Sequence, residues 1–118
     1  MDNMKATIII DLKWGRVRIY KDTLHLLNDP KYIQLLGNID TKELALRPAS
    51  PNDRYAERIR WERINKNHCC ELYSYTFTDI LAEMSSTLNK NSSYKLEGKI
   101  LKNNIILFNI ANATSFTE

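Results

Sequence analysis

The chain has 118 residues, enough for one domain or for two very small halves that share a core. It is 43% hydrophobic and 26% charged with a formal net charge of +3, which argues against wholesale disorder and is too mildly basic to demand a nucleic-acid partner. No apolar run approaches the roughly 20 residues of a membrane span, the first residues do not read as a secretory signal, and the adjacent Cys69 and Cys70 offer no disulfide framework, so the expected setting is cytoplasmic.

In chain order, Ala6 to Lys13 reads as a strand, because Ile8, Ile9 and Ile10 are β-branched and nothing interrupts them. Gly15 follows, and Arg16-Val17-Arg18-Ile19-Tyr20 alternates polar with apolar as a half-buried strand does. Asp22 or Thr23 is placed to cap a short helix through Leu24, Leu26 and Leu27, which Asn28-Asp29-Pro30 ends. Tyr32 to Leu36 and Leu44 to Arg47 are the next strands, joined by a hairpin loop at Asp40-Thr41-Lys42. Pro48 to Asp53 is the clearest break, and residues 50–56 are assigned as a linker between two halves. The stretch 54–64 fits a strand with Ile59 and Trp61 inward, the preferred reading, or a helix capped by Asn52 or Asp53. Glu71 to Phe77 reads as a strand with Tyr73, Tyr75 and Phe77 on one face. Thr78 or Asp79 then caps a helix carrying Ile80, Leu81 and Met84. Tyr94 to Ile100 and Asn104 to Ile110 form a last strand pair, and residues 114–118 read as a loose tail.

The two halves resemble one another. Gly37 is followed by Ile39, Leu44 and Leu46 at +2, +7 and +9, and Gly98 by Ile100, Ile105 and Leu107 at the same offsets. A tyrosine, Tyr32 or Tyr94, precedes each glycine. The expected fold is therefore α+β. Two tandem strand–helix–strand–strand units, 1–49 and 57–113, pack about a pseudo-twofold axis into one domain spanning 1–118, either barrel-like or a sheet with short helices, because neither half alone can bury enough core.

The segment Asp11-Leu12-Lys13-Trp14-Gly15-Arg16-Val17-Arg18-Ile19 resembles the opening of the AbrB-type swapped-hairpin DNA-binding families. Their pattern is a strand, a Gly-Arg-Val turn, a short leucine-rich helix and two strands with an apolar-x-Leu-x-Pro close. Leu24, Leu27, Leu44, Leu46 and Pro48 occupy the corresponding places, and the likeness covers about residues 8–48. The MraZ family carries two such units in one chain, similar to the repeat read above. The resemblance implies a double-unit barrel-like fold, transcription regulation and basic residues that grip DNA, with Arg16 as the motif arginine and Lys13 as the basic residue before it. The sequence departs from that pattern at Trp14, an insertion, at Tyr20 in place of proline, and at Leu24 in place of a helix-opening arginine. The second half has no Gly-Arg turn.

The distribution of arginine is uneven. Arg16, Arg18, Arg47, Arg54, Arg58, Arg60 and Arg63 all precede Cys69, and none follows. Arginine suits phosphate and guanine, although Glu57 and Glu62 among these residues also fit an ordinary solvated face. No phosphate loop, dinucleotide fingerprint or nucleophile elbow is present. His68-Cys69-Cys70 lacks the spaced pairs of a zinc site, so no metal or cofactor is expected, and adjacent cysteines on a strand face opposite ways. The reading that results is a non-enzymatic DNA-binding or transcription-regulator-like module. Double-stranded DNA would lie against Lys13, Trp14, Arg16, Arg18 and Arg47. The competing expectation is a protein-interaction or assembly module, including a homo-oligomer, with no nucleic-acid role.

Overall fold

The computed structural model describes residues 5–117. Nine strands and three α-helices follow one another as β1 (Ala6–Asp11), β2 (Arg16–Tyr20), α1 (Lys21–Leu26), β3 (Tyr32–Asn38), β4 (Glu43–Pro48), β5 (Glu57–Arg58), α2 (Trp61–Asn67), β6 (Cys69–Tyr73), α3 (Tyr75–Met84), β7 (Ser93–Ile100), β8 (Ile106–Asn109) and β9 (Thr114–Ser115). The protein is α+β. Its strands form one curled, wholly antiparallel sheet in the order β5-β3-β4-β8-β7-β1-β2-β6, with β9 added beside β7. Among the described residues no helix is long and apolar enough to cross a membrane.

The isoleucine run forms the spine of the sheet. Residues 6–11 pair with β7 along their whole length and residues 8–11 pair with β2. Ile8 and Ile10 join the core with Val17, Ile19, Leu24, Ile33, Leu44, Leu46, Leu81, Leu96, Ile106 and Phe108. Ile9 is equally buried on the alternate face, between its cross-strand neighbours Arg18 and Lys95. That double burial explains a continuous rather than alternating apolar run.

Several local expectations are corrected. Neither Asp22 nor Thr23 caps α1, whose N-cap is Tyr20. Thr23 is instead fully buried, and its hydroxyl bonds both the N–H and the C=O of Thr7, where β1 extends past the end of its ladder with β2. Residues 54–64 are not a strand: only Glu57 and Arg58 pair, with β3, and a helix begins at Trp61, whose indole N–H donates to the Pro30 carbonyl. The three aromatics expected on one strand face are divided by Ser74. Tyr73 ends β6, and Tyr75 and Phe77 lie in α3. Ser74, rather than Thr78 or Asp79, is the cap, its hydroxyl accepting from the Phe77 N–H. Thr78, Leu81 and Met84 then form the buried stripe. The tail is not wholly loose, because Thr114 and Ser115 pair with Lys95 and Tyr94, and the Phe116 N–H donates to Ser93. Glu118 lies outside the described residues.

The two matched glycines each lie in an antiparallel hairpin. Gly37 on β3 stands opposite Leu44 on β4, and Gly98 on β7 stands opposite Phe108 on β8. Leu44 and Phe108 are themselves cross-strand partners between β4 and β8. The expected +7 match therefore fails in register: Leu44 stands opposite Gly37, but it is Phe108, not Ile105, that stands opposite Gly98. The glycines differ in how tightly they are held. A Cβ on Gly98 would meet the Leu107 carbonyl oxygen at 2.6 Å and the Phe108 ring at 2.7 Å, whereas the nearest atom to one on Gly37 would be the flexible Met84 Cε at 3.2 Å. Gly98→Ala is therefore expected to lower stability by about 2 kcal/mol, and Gly37→Ala by a small fraction of that. Chemical denaturation of the two variants measures the difference, and equal losses would contradict it.

Candidate functional site

The turn that carries the expected cations begins with a single 3-10 turn, Leu12–Trp14, and closes at Gly15 with φ +60°. Glycine is required there for two reasons: the positive φ, and the Tyr75 ring, which a Cβ would meet at 2.8 Å. The Tyr75 hydroxyl donates to the Lys13 carbonyl, so α3 pins the turn. Trp14 projects from it, 58% exposed, with the Lys13 ammonium 5.2 Å from its ring centroid.

Arg16 and Arg18 behave differently. Both converge on Asp11, a carboxylate only 2% exposed: Arg16 Nε lies 2.7 Å from Oδ2 and Arg18 Nε 3.2 Å from the same oxygen. Arg16 also reaches Glu71 at 3.5 Å, the Ser93 hydroxyl donates to Asp11 Oδ1, and the Arg18 guanidinium lies over the Phe116 ring. Burial alone would raise the Asp11 pKa. The Ser93 hydroxyl, the Arg16 hydrogen bond and the charges of both arginines outweigh it and hold the carboxyl below its usual range. Burial acts to lower the Arg16 pKa, and its bonds to Asp11 and Tyr73 and the nearby carboxylates reverse the effect and raise it. These two guanidiniums are thus engaged with the fold's own carboxylates. Arg47 lies elsewhere, on β4, which β8 and β7 separate from β1, and it pairs with Asp53 at 3.7 Å. Of the five residues expected to grip DNA, Lys13 and Trp14 stand together at an exposed tip, Arg16 and Arg18 are held beneath them, and Arg47 is remote.

The feature that sequence reading missed is a seam. Among the described residues β6 pairs with β2 on one edge only and β5 with β3 on one edge only, so the two ends of the curled sheet leave an open cleft. The cleft has two chambers that share Glu57, Leu72 and Tyr73. The larger, about 520 Å³, is mainly apolar and includes Val17, Leu35, Tyr55, Phe77 and Ile80. The smaller, about 260 Å³, is polar and includes Arg58, Arg60, Arg63 and Asn67. Among the described residues no carboxylate forms an ion pair with Arg58, Arg60 or Arg63. The unusual exposure of Tyr55 and Tyr73 marks the rim. The arginine cluster at 54–63 was the sequence signal for the polar chamber, but only the broken pairing of β5 reveals the cleft.

The cysteines lie beside this seam. They face opposite ways, as their adjacency on a strand requires, with Cys70 in the core and Cys69 half-buried. Burial, with Glu71 adding to it, raises the Cys69 pKa, and burial, then Cys69, Glu57 and Glu71, push Cys70 up to about 11, so the thiolate form of both is disfavoured. Among the described residues no three His, Cys, Asp or Glu side chains gather as a metal site. No protein family, curated protein or solved structure matches this chain.

The Asp11 network leads to a pH prediction. Because the folded pKa of Asp11 lies below its ordinary value, its stabilisation is complete above that value and is lost as pH falls through the folded pKa. Asp11→Asn is expected to cost about 3 kcal/mol at neutral pH by removing the buried carboxylate charge on which two largely buried guanidiniums converge. The gap between variant and wild type should narrow below about pH 4. Urea titrations at pH 7 and pH 3 measure it, and a gap that stays constant would contradict the assignment.

Proposed function

We propose that this chain is a non-enzymatic protein-interaction module that engages a partner along the seam between β5 and β6. The observation that carries the reading is the unequal pairing of two related strands. β2, α1, β3 and β4 recur in order as β6, α3, β7 and β8. Two antiparallel pairs, β4 with β8 and β2 with β6, join like to like. This order supports a tandem pair of strand–helix–strand–strand units about a pseudo-twofold axis, and it is the arrangement that the likeness to the MraZ family implies. In that frame β5 answers to β1. β1 is six residues long and pairs with both β2 and β7, whereas β5 is two residues long and, among the described residues, pairs with β3 alone. An exposed strand edge beside an apolar cleft is a template for strand addition.

Selection of random linear peptides on the full-length chain tests this. Peptides that enrich should lose at least about tenfold in affinity on Ile80→Arg, which puts an unpaired charge in the apolar chamber, and should be indifferent to Trp14→Ala at the exposed turn. No enrichment, or binding unaffected by Ile80→Arg, overturns the seam reading.

A second reading, a DNA-binding regulator-like module, is favoured by a different observation: Arg58, Arg60 and Arg63 lie together without ion pairs among the described residues. With Lys13 and Trp14 they would supply the phosphate contacts that Arg16 and Arg18, held on Asp11, are badly placed to make. This reading expects duplex binding at about 50 mM salt whose logarithmic salt slope falls by about 0.9 for each arginine removed. Arg60→Ala/Arg63→Ala would weaken that binding, and Arg16→Ala would lower stability instead. Absence of duplex binding removes the reading.

A further inference from the structure

We propose that the seam takes up an extended partner segment with apolar residues at alternate positions and an acidic C-terminal end, its carboxylates seated on Arg58, Arg60 and Arg63. The inference rests on the seam reading and adds the chemistry and direction of the occupant.

The length comes from the missing pairing. With Gly37 set against Gly98, Tyr32 answers to Ser93, so Arg58, opposite Tyr32, answers to Asp11, opposite Ser93. Glu57 then answers to Ile10. The part of β1 with no counterpart is Ala6–Ile9, the stretch that would cover Gln34 to Gly37 of β3 and the free edge of β6. The chain does not extend as a strand there: residues 51–55 form turns, the Arg54 carbonyl accepts from the Gln34 side-chain amide rather than from the β3 backbone, and Tyr55 takes a left-handed φ of +60°. About four extended residues therefore fit, at the strand rise of about 3.3 Å per residue.

The chemistry comes from the chambers. A strand in the seam directs alternate side chains into the apolar chamber, where Leu35, Leu72, Phe77 and Ile80 would cover them. The polar chamber holds three arginines against two carboxylates. Glu71 is already engaged by Arg16 and by the Tyr73 hydroxyl, which leaves Glu57 as the opposing charge. The excess is positive, and guanidinium forks match carboxylates in a cleft partly shielded from water.

The direction comes from the sheet. Every pairing in it is antiparallel. β6 runs from the polar chamber at Cys69 to the apolar chamber at Tyr73. A segment antiparallel to β6 enters at Tyr73 and delivers its C-terminal end to the arginines.

Three synthetic peptides test the proposal with the isotope-labelled full-length chain. Each has a core of alternating valine and threonine. One ends in Asp-Glu at its C-terminus, one carries Gln-Asn there with a terminal amide, and one carries Asp-Glu at its N-terminus instead. The expected result is a shift of the Leu35, Leu72 and Tyr73 amides with all three. The C-terminally acidic peptide should bind about tenfold tighter than the others, an advantage that Arg60→Ala/Arg63→Ala abolishes. Equal affinities overturn the charge inference and leave the seam standing. Preference for the N-terminally acidic peptide overturns the direction. No amide shift with any peptide overturns the seam reading itself. So does a concentration-dependent dimer that excludes the peptides, or competition by duplex DNA alone, each of which assigns the cleft to another occupant.

Discussion

An antiparallel sheet curls into a closed wall only where each strand has a neighbour on both edges, and every strand that lacks one leaves backbone donors and acceptors facing outward. In this chain β1 meets that requirement, pairing with β2 and β7 at once, with isoleucines buried on both faces. β5 does not, because the backbone holds only two residues beside β3 before it turns into α2. The cleft, its exposed tyrosines and the division into an apolar and a cationic chamber all follow from that shortfall.

Electrostatics divides the arginines into two populations. Arg16 and Arg18 lie beside a nearly inaccessible carboxylate, and taking Asp11 out of water is tolerable only because two guanidiniums and the Ser93 hydroxyl satisfy it. These residues join β1, β2 and β7 across the outer face, with Phe116 over Arg18. Arg58, Arg60 and Arg63 sit where the sheet is interrupted and line open space. A positive charge within a sequence motif and a positive charge available to a ligand are therefore different properties here. The first follows from residue type, and the second depends on which carboxylate the fold brings near.

The turn at Gly15 and the connection through α2 occupy comparable places, each leading into one of the paired strands β2 and β6. One is a tight turn under the Tyr75 ring, and the other is a helix whose exposed face carries Arg63 and Lys66. The connections that face the seam thus differ in kind, while the hairpins around Gly37 and Gly98 each set a glycine opposite a buried side chain of the next strand.

Much of the architecture was legible in the linear order of residues. The isoleucine run, the alternation at 16–20, the two later hairpins and the matched glycines are local patterns whose periodicity reports directly on which face is buried. Sequence alone misread places where two conformations share one pattern. Leu72 to Phe77 alternates like a strand, yet Ser74 caps a helix, and Ile59 with Trp61 suits a strand, yet pairing stops at Arg58. Only the tertiary structure decided which arginines are sequestered and that a cleft exists. Asp11 and its partners Arg16 and Arg18 share one short stretch of chain, but the Ser93 hydroxyl and the Phe116 ring that complete their burial come from its far end, and the lack of a second neighbour for β6 among the described residues is a relation between opposite edges of the sheet, which no local window contains.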